Sequence, residues 1–270
     1  MRPQVPRAPQ SPRALADRPG QPYLYQDGRL VSSTSALVVG GSGGIGQAVA
    51  RGCVEEGVGV TLVARRQDRL DQVCASLGTS VRVMPVVADA GRRAAIDRAI
   101  EAHRRAHGGL DLVVVAAGGG RPGRAADTSV DDLARALERD LHVPWQVLRA
   151  SIGALRETAS RRGVARFVVV GSVAGLAPVP GFAAYSAAKA ALRSLVLSVE
   201  HDEVDTGVRA TVVEPGYVAT QLTESIDVPA EEMLHPDDVA HAVRFLLHLS
   251  PQASVTELVL GRAGAHGLAP

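Results

Sequence analysis

The chain has 270 residues, 46% of them apolar and 21% charged, so it can bury a sizeable core without disulfide or metal staples. Its 29 basic and 28 acidic residues leave a net charge of +1, which argues against a broad electrostatic footprint for nucleic acid or an anionic membrane. No apolar run approaches the roughly 18 residues that span a bilayer, no stretch reads as a signal peptide, and the two cysteines, Cys53 and Cys74, read as buried thiols of a reducing, cytoplasmic setting.

Residues 1–33 carry Pro3, Pro6, Pro9 and Pro12 at every third position, several arginines and few apolar side chains, so a disordered, extended segment is expected there. A single domain is expected over 34–265. The first strand, 36–40, runs into Gly40-Gly-Ser-Gly-Gly44-Ile-Gly46 and then a helix over 46–56. A glycine-rich turn between strand and helix suits the close approach of a dinucleotide pyrophosphate, which the free N–H groups of the helix N-terminus then hold. Gly40, Ser42, Gly44, Ile45 and Gly46 are the residues expected to do so.

The second strand, 58–63, ends in Ala64-Arg65-Arg66. An acidic residue at this point would bond the ribose 2′-hydroxyl of NAD, whereas an arginine suits the 2′-phosphate of NADP. Arg65 therefore favours NADP(H) over NAD(H). A helix over 69–77 leads to the third strand, 81–87, and to Asp89, placed to accept from the adenine amine. His103 and His107, in the next helix (92–107), have the spacing of a helical metal pair but no third ligand, and no metal is expected. The fourth strand, 112–115, is followed by Ala116-Ala117-Gly118 and a long helix over 131–159.

The fifth strand, 167–170, leads to Ser172, whose hydroxyl is expected to donate to a developing oxyanion at the carboxyl end of the sheet. Tyr185 and Lys189 begin the helix over 184–204, four residues apart and so on one helix face. A free phenol titrates near about 10 and is a poor acid at neutral pH, but a neighbouring ammonium stabilises the phenolate and makes the pair a usable proton donor. Lys189 is the one lysine in a chain with 28 arginines and no asparagine. A compositional bias that strips lysine everywhere else has left it here. A sixth strand over 208–213, a helix over 237–248 and a last strand over 258–260 complete the alternation. Short apolar strands without polar alternation, separated by helices, imply a doubly wound parallel sheet.

These residues resemble the short-chain dehydrogenase/reductase family. The resemblance covers about 36–262 and rests on the glycine turn, Ser172, Tyr185-x-x-x-Lys189 and Glu214-Pro-Gly-Tyr-Val-Ala-Thr220, in family order and spacing. It implies an α/β, Rossmann-like fold with a seven-stranded parallel sheet flanked by helices, and hydride transfer between nicotinamide C4 and the carbonyl or alcohol carbon of a small molecule. Tyr185 would be the general acid/base. Lys189 would assist it and hold the nicotinamide ribose, and Ser172 would orient the substrate oxygen. Ala116 and Gly118 would line the cofactor cleft, and Pro215, Val218 and Thr220 would contact the carboxamide. The helices over 131–159 and 184–204 would pair chains into a homodimer or homotetramer.

Two departures stand out. The stretch 115–118 lacks the family's asparagines, and the family's fourth catalytic residue, an asparagine, is matched by Asp140. Aspartate keeps the backbone carbonyl that supports a water in the family, and Pro144 cannot bond back to that carbonyl. A carboxylate could instead hold Lys189 too tightly. The lid between Thr220 and Asp237 is short, and Trp145, Phe182, Tyr217 and Leu222 are expected to line the pocket. The favoured reading is an NADPH-dependent carbonyl reductase or alcohol dehydrogenase. The alternative is an NADP(H)-binding regulator or scaffold with impaired catalysis.

Overall fold

Seven runs of Val, Leu and Ala form the strands of one parallel sheet in the computed structural model of the chain, which describes residues 25–26, 29–30, 34–78, 81–224 and 226–265. The strands are β1 (Ser35–Val39), β2 (Gly59–Ala64), β3 (Val83–Val87), β4 (Leu112–Val115), β5 (Ala165–Val170), β6 (Val208–Pro215) and β7 (Glu257–Leu260). Their spatial order is β3-β2-β1-β4-β5-β6-β7, all neighbours parallel. The fold is therefore the Rossmann-like doubly wound α/β architecture that the alternation implies.

The helices are α1 (Gly44–Glu55), α2 (Gln67–Ser76), α3 (Arg93–His107), α4 (Val130–Leu137), α5 (Val143–Arg162), α6 (Ala183–Asp202) and α7 (Pro236–Leu247). The period-2 geometry of a strand sends alternate side chains to opposite faces. Leu37, Val39, Val113, Val115, Phe167 and Val169 pack with Ile96, Leu155, Leu192 and Val196 of α3, α5 and α6. Ala36, Val38, Leu112, Val114, Val168 and Val170 pack with Val49, Leu70, Val243 and Leu246 of α1, α2 and α7. Burial on both faces is why the strand sequences show no polar alternation.

The long helix expected over 131–159 is divided. A π-helical turn at Glu138–His142 separates α4 from α5 and contains Asp140. Pro144 opens α5 and has no N–H to return to the carbonyl four residues back, which favours a wider turn at this point. Of the segment 1–33, Tyr25–Gln26 and Arg29–Leu30 are described and pair antiparallel. The rest of the disorder expected there lies outside the described residues.

Sheet order reverses beside β1, whose neighbours are β2 and β4. In such sheets the crevice for a ligand opens at the carboxyl ends of the strands flanking the reversal.

Candidate active site

The turn after β1 is built for close packing. Gly40 has φ of +84°, a left-handed conformation that disfavours any side chain. The N–H groups of Gly40 and Gly41 both donate to the Val63 carbonyl, at 2.9 and 3.2 Å, which ties the turn to the end of β2. Gly46 faces back onto this turn: a Cβ there would lie 2.3 Å from the Gly40 oxygen. Gln47 Nε2 braces the turn from α1 by donating to the Ser42 carbonyl at 2.9 Å. The Gly43 N–H returns to the Gly40 carbonyl at 3.0 Å, and no side chain caps α1, whose N-cap is Gly43. The segment after β6 closes the other side, with Thr220 Cγ2 only 2.8 Å from where a Cβ on Gly44 would sit.

A cleft open to solvent lies at the carboxyl ends of β1, β4, β5 and β6. Ile45, Ala116, Gly118, Ser172, Tyr185, Lys189, Pro215, Val218 and Thr220 all line it, so the motif residues that the sequence spreads over 176 positions converge here. Tyr185 and Lys189 share one face of α6, with Nζ 5.6 Å from the phenol ring centroid. Lys189 is buried and donates to the Val170 carbonyl at 3.0 Å. Ser172 lies two residues beyond β5, and its Oγ accepts from the Ala174 N–H at 3.2 Å, which leaves its own proton for another acceptor.

Phe182, Tyr217 and Leu222 line the cleft as expected, with Phe182 edge-on to Tyr185 at 6.3 Å. Trp145 does not. It sits half-exposed near the start of α5, outside the cleft. Gly40, Ser42, Gly44 and Gly46 lie in the turn beside the cleft rather than in its wall. Arg65 is exposed just past β2, and Asp89 just past β3. The Asp89 carboxylate already accepts from the Gly91 N–H at 3.2 Å and lies 3.5 Å from Arg92. His103 is fully buried, with its ring nitrogens on Thr61 Oγ1 at 2.8 Å and Ser35 Oγ at 3.2 Å. Burial pushes it down to about 3, the state of a neutral structural histidine.

Asp140 is fully buried behind the cleft rather than in its lining. Its Oδ1 accepts from the Gly119 N–H at 2.9 Å and lies 3.7 Å from Lys189 Nζ. Its Oδ2 accepts from Arg139, Nε at 3.0 Å and Nη2 at 2.7 Å. Arg139 is a participant that the sequence reading missed.

Glu214 is a second one. In sequence it is the first residue of its motif, yet its carboxylate is fully buried and accepts the Ser172 N–H at 2.5 Å. Its other oxygen has no hydrogen-bond partner among the described residues. Burial pushes this carboxyl up to about 7 against the pull of the Ser172 N–H and of Lys189. A carboxyl raised on folding stabilises the fold fully below its unfolded value, and that contribution is lost as pH rises through the folded value. The protein is therefore expected to lose on the order of a few kcal/mol of stability between pH ~4.5 and ~7 through Glu214. Urea unfolding of wild type and Glu214→Gln at pH 5, 6, 7 and 8 checks this. The difference between the two should change with pH, and a constant difference would show that Glu214 does not titrate in this range.

A sequence model of the short chain dehydrogenase family matches residues 34–230. An uncharacterized oxidoreductase of Staphylococcus epidermidis is 30% identical over 230 residues, covering 85% of this chain and 97% of its own. Among solved structures, an alcohol dehydrogenase of the archaeon Thermococcus sibiricus complexed with 5-hydroxy-NADP is 28% identical with a TM-score of 0.79, covering 87% of this chain and 98% of its own. An NADPH-bound short chain oxidoreductase of Pseudomonas aeruginosa PAO1, described as containing an atypical catalytic center, is 26% identical with a TM-score of 0.78, covering 88% of this chain and 98% of its own.

Proposed function

Because the chain belongs to the short-chain dehydrogenase family of oxidoreductases, we propose that it is an NADPH-dependent reductase of small carbonyl compounds, with the reverse alcohol oxidation available to the same site. The observation that carries this reading is the meeting of Ser172, Tyr185 and Lys189 in one cleft beside the glycine turn. The residues fit a dinucleotide. Gly40 and Gly46 leave no room for side chains, the N-terminus of α1 is uncapped, and an arginine stands at the end of β2 where an acid would select NAD. Two structural relatives described with an NADP derivative and with NADPH support the same cofactor.

Gly40, Ser42, Gly44, Ile45 and Gly46 would hold the pyrophosphate and Arg65 the 2′-phosphate. Asp89 would accept from the adenine, and Ala116, Gly118, Pro215, Val218 and Thr220 would frame the nicotinamide end. When bound, the dinucleotide supplies the hydride. The chain's own groups handle the proton and the charge. Ser172 Oγ donates to the substrate oxygen, and Tyr185 donates the proton that converts it to a hydroxyl. The Lys189 ammonium stabilises the phenolate left behind and donates to ribose hydroxyls. Phe182, Tyr217 and Leu222 give the pocket apolar walls, which suits a carbonyl flanked by hydrocarbon.

We further propose a single catalytic domain over 34–265, a cytoplasmic setting and a homodimer or homotetramer built on α4–α5 and α6. Among the described residues no helix is long and apolar enough to cross a membrane.

NADPH consumption over a panel of aliphatic and aromatic carbonyls tests the activity. Tight NADPH binding with no turnover across the panel would favour the regulator reading instead. Arg65→Ala tests the cofactor. A charge-assisted bidentate contact contributes about 1.5–3 kcal/mol, so NADPH affinity should fall about 10- to 100-fold while NADH affinity changes little. Equal losses for both cofactors in fluorescence titration would remove Arg65 from that role.

A further inference from the structure

We propose that Arg139 is a positioning residue that commits the Asp140 carboxylate to itself and so leaves the Lys189 ammonium free to serve Tyr185. The inference rests on the reductase reading of that pair. A buried aspartate in place of an asparagine puts a full negative charge beside the one lysine of the chain. Unpartnered, it would draw the ammonium into a direct ion pair, because a buried charge is costly until it is matched.

The geometry instead gives Asp140 closer partners and leaves the ammonium in a long ion pair with it. Asp140 Oδ2 takes two guanidinium N–H groups of Arg139, on Nε at 3.0 Å and Nη2 at 2.7 Å, and Oδ1 takes the Gly119 N–H at 2.9 Å. Lys189 Nζ keeps only a long ion pair with Oδ1 at 3.7 Å, outside hydrogen-bond reach, and spends one donor on the Val170 carbonyl at 3.0 Å. Its other two donors remain for the phenol and the ribose. The Arg139–Asp140 pair is neutral as a unit, so at Lys189 its field is that of a dipole rather than of a lone charge. Gly118 makes the close assembly possible: a Cβ there would lie 2.9 Å from Asp140 Oδ1 and 3.2 Å from Lys189 Nζ. Arg139 lines a neighbouring pocket that shares Pro122 and Tyr185 with the cleft, so the experiment also separates a role as an anchor for substrate anions.

The test compares wild type, Arg139→Ala and Arg139→Ala/Asp140→Asn in NADPH-dependent carbonyl reduction. With ¹³C-lysine labelling the one lysine also gives a single set of side-chain signals. Arg139→Ala should lower kcat about 10- to 100-fold with KM for the carbonyl within about threefold, the range of coupling found between charged neighbours. Removing the stranded charge in the double variant should restore kcat at least about fivefold over the single variant. The lysine ε-carbon signal should shift in the single variant and return toward wild type in the double.

A double variant no faster than the single one, a loss confined to KM, or a lysine signal indifferent to both substitutions would each overturn the proposal. If Arg139→Ala does not fold, Arg139→Gln takes its place in the same comparison. If wild type reduces no carbonyl, the reductase reading fails, and the lysine signals still decide whether Arg139 shields Lys189 from Asp140.

Discussion

Tyr185→Phe is expected to cut carbonyl reduction by about three orders of magnitude or more, the upper part of the range for loss of a positioned general acid. NADPH affinity should stay within about threefold, since the substitution removes one oxygen and no charge. Phenylalanine keeps the ring that packs edge-on against Phe182 and that lies 5.6 Å from Lys189 Nζ. What it removes is the hydroxyl proton, and neither Ser172 nor Lys189 replaces it well. The Ser172 hydroxyl is a weaker acid than a phenol, and the Lys189 ammonium already spends a donor on the Val170 carbonyl. Turnover of NADPH with a carbonyl substrate measures the first effect, and quenching of protein fluorescence by NADPH the second. Activity close to wild type would show that the proton comes from elsewhere.

Gly46→Ala should weaken NADPH binding at least about 50-fold and lower the melting temperature by several degrees, though in an ordinary helix the same change stabilises by about 1 kcal/mol. The added methyl would sit 2.3 Å from the Gly40 oxygen and 2.9 Å from its carbonyl carbon. Both are backbone atoms, so no side chain can swing aside. The turn itself would have to open. It is held by the bonds from Gly40 and Gly41 to Val63, and Gly40 packs so tightly on the loop after β4 that its own Cβ would meet the Ala117 nitrogen at 2.7 Å. Opening it therefore disturbs the proposed pyrophosphate cradle and the crevice wall together. NADPH titration and thermal melts read the two consequences. Unchanged binding would mean that the turn is not the phosphate site.

The elements differ from their sequence-based bounds by one or two residues at most ends. The strand ending at Pro215 runs two residues past the expected 208–213 because its last residues pair with Val259 and Leu260 of β7, an edge partner far away in the chain. The division of the long helix at Glu138–His142 had a visible cause in Pro144, but the type of turn did not. Arg139 and Asp140 were both in view, yet adjacent residues on a regular helix point about 100° apart and would not be paired from sequence. The π turn and the length of the arginine side chain bring them together.

What the sequence by itself determined was every feature written in local periodicity or local chemistry: the buried strands, the strand–glycine–helix turn, the arginine at the end of β2, and the phenol and ammonium one helical turn apart. These need only the fixed geometry of a helix or strand to be read. What only the tertiary structure decided were relations between charges and the groups that surround them. Glu214 is an ordinary surface acid on paper and becomes a buried, half-satisfied carboxyl under Ser172 once β5 and β6 lie side by side. Trp145 leaves the pocket, and Asp140 gains Arg139 before Lys189. Burial and the order in which charges find partners depend on distances between segments far apart in the chain, and no local pattern encodes those distances.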